Sequence, residues 1–169
     1  IGFTARAAID KDVKPKYKST TGLPKKGILF LGNVAKEAIR SSRRIQITEG
    51  PFDAISAHLN GFKNTIATLG ADLAVDSINT LKQMGVVSRI MAYDPDKAGI
   101  MATKKTISLC QDIGIEVLAV PFPHGQDIDE YLRKGEASLP LPIPAVEYVL
   151  DHDYDLNGED IPHDLRYTR

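Results

Sequence analysis

The chain has 169 residues, 43% hydrophobic and 25% charged, with a formal net charge of −1. That length buries one core with a smaller appendage. No apolar run approaches the ~20 residues of a membrane span, so no membrane role is expected and the expected setting is cytoplasmic. Cys110 is the only cysteine, which rules out a disulfide framework or a cysteine-based zinc site within the chain. It falls at helical spacing and reads as a core residue. The opening Ile1, in place of a methionine, suggests a piece of a longer protein.

The small net charge hides a segregation. Residues 1–48 hold eleven of the 21 Lys and Arg but only three of the 22 acids, Asp10, Asp12 and Glu37. Such a basic segment, with Tyr17 set among Lys14, Lys16 and Lys18, suits either a polyanion or a solvated loop; the acidic remainder suits divalent cations.

In chain order, residues 1–43 carry the loop Ser19-Thr20-Thr21-Gly22-Leu23-Pro24 and one helical stretch at Val34–Ser41, and read as the remains of an upstream basic subdomain. From Arg44 the signals alternate: strand Ile45–Thr48, helix Phe52–Asn60, strand Asn64–Thr68, helix Leu73–Met84. Then come strand Arg89–Tyr93, helix Lys97–Ile113, strand Glu116–Pro121 and helix Ile128–Lys134. Alternation of this kind predicts an α/β fold with a mostly parallel sheet flanked by helices. Gly61, Gly85, Gly114 and Gly135 fall where those helices should stop. The predicted organisation is therefore a basic segment over 1–43, the α/β domain over 44–138, and a Pro-containing linker, short helix (Ala145–Leu150) and acidic tail over 139–169.

Acidic residues collect where strands end and helices begin. Glu49 follows the first strand of the alternating series, and Asp53 falls in the next helical turn after Gly50-Pro51. Asp94 and Asp96 follow the third, with Pro95 stiffening the turn between them. Asp127 and Asp129 sit at the fourth junction, in GQDID. In a parallel α/β sheet the strand ends are where ligand groups gather. Singly, each acid has a plain structural explanation: Asp96 as a helix cap, Asp53 as a dipole partner, Asp127 with Glu130 as a capping box. Capping does not explain Glu49, nor the accumulation at one edge. Carboxylates converging there suit hard divalent cations.

The residues EGPFDAISAHLNGF (49–62) and YDPDKAG (93–99) resemble the Toprim pattern of a glutamate after one strand and a DxD after a later one. Together with PKYKS (15–19), KKGILFLG (25–32), AKEAI (35–39), TIATLG (65–70) and GQDIDEYL (125–132), in that order, the chain is similar to bacterial DnaG-type primases over roughly residues 1–135. A lone DxD is a weak signal; the ordered series is a strong one.

The resemblance implies a Toprim-type, Rossmann-like fold and RNA primer synthesis on a single-stranded DNA template from ribonucleoside triphosphates. It implies Glu49, Asp94 and Asp96 as catalytic acids holding Mg²⁺ or Mn²⁺, with Asp53, Asp127 and Asp129 completing the metal cluster. It places Arg6, Lys16, Tyr17 and Lys26 by the nucleotide and template, and a replicative helicase as a partner through regions outside this chain. The chain departs from the family at Thr4 and Ala5 in GFTAR, Lys18 and Ser19 in PKYKS, Pro95 in YDPD and Ile128 in GQDID. These departures point to a divergent branch, of phage or mobile-element type. A Toprim nuclease or topoisomerase shares the acids, and a non-catalytic nucleic-acid-binding module is the non-enzymatic alternative. The tail Asp153–Asp164 approaches EF-hand spacing, but Asp160, Pro162 and Asp164 break the pattern. It reads as an acidic linker. His124, His152 and His163 lack ligand spacing and are expected on the surface.

Overall fold

The computed structural model describes residues 3–6, 17–22, 28–69, 81–111, 113–136 and 138–157. A short antiparallel hairpin pairs β1 (Thr4–Arg6) with β2 (Tyr17–Ser19) and sets Arg6 opposite Tyr17. Helix α1 (Gly32–Ser42) then leads into the alternating region: β3 (Arg44–Thr48), α2 (Pro51–Leu59), β4 (Thr65–Ala67), β5 (Ser88–Met91), α3 (Lys97–Gln111), β6 (Glu116–Ala119) and α4 (Ile128–Arg133). The chain closes with β7 (Ile143–Pro144) and α5 (Ala145–Asn157). Of the helix expected over Leu73–Met84, residues 81–83 are helical and 70–80 lie outside the described residues.

The sheet runs in the order β4-β3-β5-β6-β7, parallel through β6 and antiparallel at β7. Successive side chains of a strand face opposite sides, so the sheet supports two cores. Ile45 and Ile47 of β3 with Met91 and Tyr93 pack under Ala35 and Ile39 of α1, Ile100 of α3, and Tyr148 and Val149 of α5. Ile90 and Ala92 pack on the other side with Ala57 of α2 and with Ile128 and Leu132 of α4. Burial on both faces is why these strands read as apolar runs rather than strict alternation. Cys110 is a buried core residue as expected, with its sulfur 3.6 Å from Nη1 of the buried Arg89.

The C-terminal segment departs from the expected linker. Ile143 and Pro144 add an edge strand, where a proline's missing N–H costs no ladder bond. The helix that follows was expected over Ala145–Leu150 but runs to Asn157, because nothing breaks it before Gly158. It covers Asp153, where an EF-hand-like loop would have begun, so no such loop opens there.

The strand order places a reversal at the functional edge. From β3 the chain moves outward to β4, then crosses back over β3 to β5 and continues to β6. The carboxyl ends of β3 and β5 thus flank the point where the winding changes direction, the usual ligand crevice of such sheets.

Ile47 is fully buried and Leu141 is 85% exposed. Ile47→Ala is expected to lower unfolding free energy in urea by about 2–5 kcal/mol, while Leu141→Ala changes it by about 0.5 kcal/mol or less.

Candidate metal centre

Glu49 leaves the end of β3 at that crevice. The preceding Thr48 is fully buried, and its hydroxyl lies 3.2 Å from both the Gly50 and the Ile66 carbonyl oxygens. This ties the turn carrying Glu49 to β4. Gly50 caps α2, Pro51 opens it, and the Gly50 N–H donates to Oδ2 of Asp53 at 3.1 Å.

At the next junction, Asp94 and Asp96 sit in the loop between β5 and α3. The Gly99 N–H donates to Oδ1 of Asp96 at 2.9 Å, and the Ile100 N–H to the Asp96 carbonyl at 3.0 Å. Asp127 caps α4, with Oδ1 accepting from the Glu130 N–H at 2.7 Å. Asp129, in the first turn of α4, is paired with Arg133, Oδ2 to Nη2 at 2.8 Å. The plain structural explanations of Asp53, Asp96 and Asp127 are therefore true, and they are compatible with a site: a cap bond to one oxygen fixes a carboxylate's direction. Glu49 has no such cap role.

The electrostatics join these acids. Glu49 is pushed up to about 7, first by burial and then by Asp94, Asp96 and Asp53. Asp53 is also pushed up to about 7, by burial first, then Asp127 and Asp94, with Asp129 last; the Gly50 hydrogen bond pulls the other way. After burial, every charge that raises either group is another acid, so a divalent cation held among them would favour the ionised form of both.

Among the described residues, no three potential ligands close into a ready-made cage. The donor set still fits Mg²⁺ or Mn²⁺. It is oxygen only, crowded and negative, and Mg²⁺ is commonly held by one or two carboxylates together with waters and substrate phosphates rather than by an all-protein cage.

Two residues at the site are not apparent from sequence. A Cβ on Gly99 would stand 2.2 Å from the Asp94 carbonyl oxygen, so only glycine lets α3 start this close to Asp94. The G of YDPDKAG was the available signal. Tyr148 comes from α5, and its hydroxyl is pushed up to about 12 by burial and then by the charge of Asp96. It stays protonated beside that acid. His152, expected on the surface, is half-buried behind it, its ring 4.4 Å from that of Tyr148 and its Nδ1 2.7 Å from the Tyr148 carbonyl oxygen. His124 is exposed as expected, and His163 lies outside the described residues. Of the expected nucleotide and template residues, Arg6 and Tyr17 are placed by backbone in the hairpin. Lys16 and Lys26 lie outside the described residues.

Glu49 and Asp53 titrate near 7 when folded, against ordinary values of 4.5 and 3.8. Between those values the folded chain binds more protons, so these two groups make stability fall as pH rises and withdraw their full contribution above pH 7. Thermal denaturation without divalent cations should show this drop between pH 5 and pH 8. Added Mg²⁺ should raise the Tm more at pH 8 than at pH 6, and a 100-fold excess over the Kd at pH 8 should add about 2.7 kcal/mol of stability there. Equal increments at both pH values would contradict the assignment. Gly99→Ala should weaken Mn²⁺ binding about tenfold or more in calorimetry, as displaced supporting groups do at metal sites.

Comparisons with known proteins agree with this geometry. The profile of the Toprim-like family matches residues 46–132. A DNA primase of Clostridium acetobutylicum is 34% identical over 161 residues, 93% of this chain and 26% of that protein. One from Chlamydia pneumoniae is 29% identical over 143 residues, 82% of this chain and 24% of that protein. Among solved structures, the Aquifex aeolicus primase (zinc-binding and RNA polymerase domains) aligns with a TM-score of 0.70 at 29% identity, over 93% of this chain and 40% of that one. The E. coli primase catalytic core aligns with a TM-score of 0.71 at 24% identity, over 93% of this chain and 52% of that one. The chain thus spans about a quarter of the length of these curated relatives. With the acids of the Toprim pattern at the strand ends and the family matched across them, the chain belongs to the Toprim-like family and is similar to DnaG-type DNA primases.

Proposed function

We propose that this chain carries the catalytic Toprim part of a DNA primase and that its parent makes RNA primers on single-stranded DNA for replication, in the cytoplasm. The observation that carries this reading is the set of mutually repelling acids at the reversal between β3 and β5. In primer synthesis a 3′-hydroxyl attacks the α-phosphorus of a ribonucleoside triphosphate and pyrophosphate leaves, so negative charge has to be gathered and then stabilised as it moves. Mg²⁺ or Mn²⁺ supplies that neutralisation and polarises the phosphate oxygens.

The chain's own residues position and tune. Glu49, Asp94 and Asp96 hold the cation, and Asp53 and Asp127 complete the cluster directly or through water. The Thr48 hydroxyl fixes the turn of Glu49, and the Gly99 amide aims Asp96. None of these acids acts as nucleophile. Arg6 and Tyr17 of the hairpin, with Lys16 and Lys26, take the template and the nucleotide phosphates. The solved DnaG primase catalytic domain bound to ssDNA supports a single-stranded template. A replicative helicase engages regions of the parent outside this chain.

The decisive assay uses the full-length parent. Template-dependent ribonucleotide incorporation is expected in Mg²⁺ or Mn²⁺, with a loss of about a hundredfold or more in Glu49→Ala, as expected when a charge-stabilising group is removed from the reacting centre. Metal-dependent DNA cleavage with no incorporation would replace this reading by the strand-cutting alternative. Neither activity, with no Mn²⁺ binding, would leave a nucleic-acid-binding module.

A further inference from the structure

Asp127 and Asp129 stand two residues apart, yet the fold gives them different surroundings. Asp127 lies outside α4 as its cap, with one oxygen turned to the Glu130 N–H. Asp129 lies inside the first turn and meets the edge of the Arg133 guanidinium with both oxygens, Oδ2 to Nη2 at 2.8 Å and Oδ1 to Nε at 3.1 Å. The acid is largely covered, its side chain 18% exposed, while the arginine side chain is 76% exposed. Asp129 in the first turn and Arg133 in the last also each suit their end of the helix dipole. Two parallel hydrogen bonds make this the most directional form of carboxylate pairing.

Among the acids that raise Asp53, Asp129 comes last and contributes least. We infer that Arg133 offsets most of the charge of Asp129, so that Asp129 serves as the arginine's counter-ion and is not a metal ligand in this chain, whose cation is held by the remaining acids. This rests on the cation-site reading above. An exposed pair four residues apart is a weak tie, so its strength is not what excludes the cation. What matters is the field. A carboxylate with a guanidinium at hydrogen-bond distance presents a short dipole to the crevice, and a dipole attracts a divalent ion far less than a free charge does. Any ion approaching the paired face of Asp129 also meets the positive guanidinium first. Arg133 thereby sets how negative the site is without touching its contents, as a positioning residue.

The two readings separate by sign. The test is Mn²⁺ calorimetry on the whole 169-residue chain, comparing wild type, Asp129→Asn, Arg133→Gln and the double variant, with Asp94→Asn as control and circular dichroism to verify folding. If the pair only regulates charge, Arg133→Gln uncovers Asp129 and tightens Mn²⁺ binding about three- to tenfold. Asp129→Asn leaves a bare guanidinium and weakens binding by a similar factor, and the double variant returns to within about twofold of wild type. If Asp129 is a ligand, both Asp129→Asn and the double variant lose about tenfold or more, and the inference is overturned. A merely structural role for the pair would weaken binding in both single variants, which also overturns it. Wild type that binds no Mn²⁺, or an Asp94→Asn control that binds as well as wild type, removes the cation site itself and this inference with it.

Discussion

Like charges crowded into a half-buried crevice are the constraint around which this molecule is arranged. Glu49 and Asp53 are each raised to about 7 by burial and by neighbouring acids, a state that works against folding at neutral pH. The sheet overrides that cost. Fully buried Ile45, Ile47 and Ile66, with Met91 at 1% exposure, anchor the three adjacent strands whose ends deliver the turn of Glu49 and the loop of Asp94. Parallel pairing then fixes the register, and the Ala92 N–H still donates to the Ile47 carbonyl at 2.8 Å where the strands approach the site. The apolar core holds together what electrostatics would push apart.

Capping and the proposed cation binding can use the same carboxylates without conflict. A helix start offers unpaired N–H groups and a positive dipole end, so an acid there is both aimed and partly stabilised. Asp53, Asp96 and Asp127 are each fixed by one such bond. That arrangement lets three helices converge acids on one sheet edge while each helix gains its own cap. Asp129 differs because its partner is an arginine on the same helix, and its charge contributes last and least among the acids that raise Asp53.

Much of this was legible in the sequence. The apolar runs from Ile45 onward and the glycines at 61, 85, 114 and 135 give the strand and helix order because local pattern and punctuation agree there. Glu49, Asp94 and Asp96 stand out because their place at strand ends is a matter of spacing alone. Other features depend on contacts distant in sequence. Prolines 140, 142 and 144 read as a linker, and only the exposed edge of β6 makes room for a strand there. Helix α5 looked short because its acids resemble a tail, yet Tyr148 and Val149 are held by the core beneath them. Gly99 has meaning only once the Asp94 carbonyl is known to lie against it. The spacing of Asp129 and Arg133 is an ion-pair signal on a helix, overshadowed by the stronger acidic pattern around it.

The family match covers residues 46–132, whereas Tyr148, whose hydroxyl is raised by burial and then by the charge of Asp96, lies beyond it on α5. The central claim is that these acids together form a divalent cation site at the reversal of the sheet. A crystal of the chain soaked in Mn²⁺, with anomalous diffraction measured at the manganese edge, tests it most directly. The account predicts a strong anomalous peak among the carboxylates of Glu49, Asp94 and Asp96. No peak there at saturating Mn²⁺, or peaks confined to other acids of the surface, would contradict it.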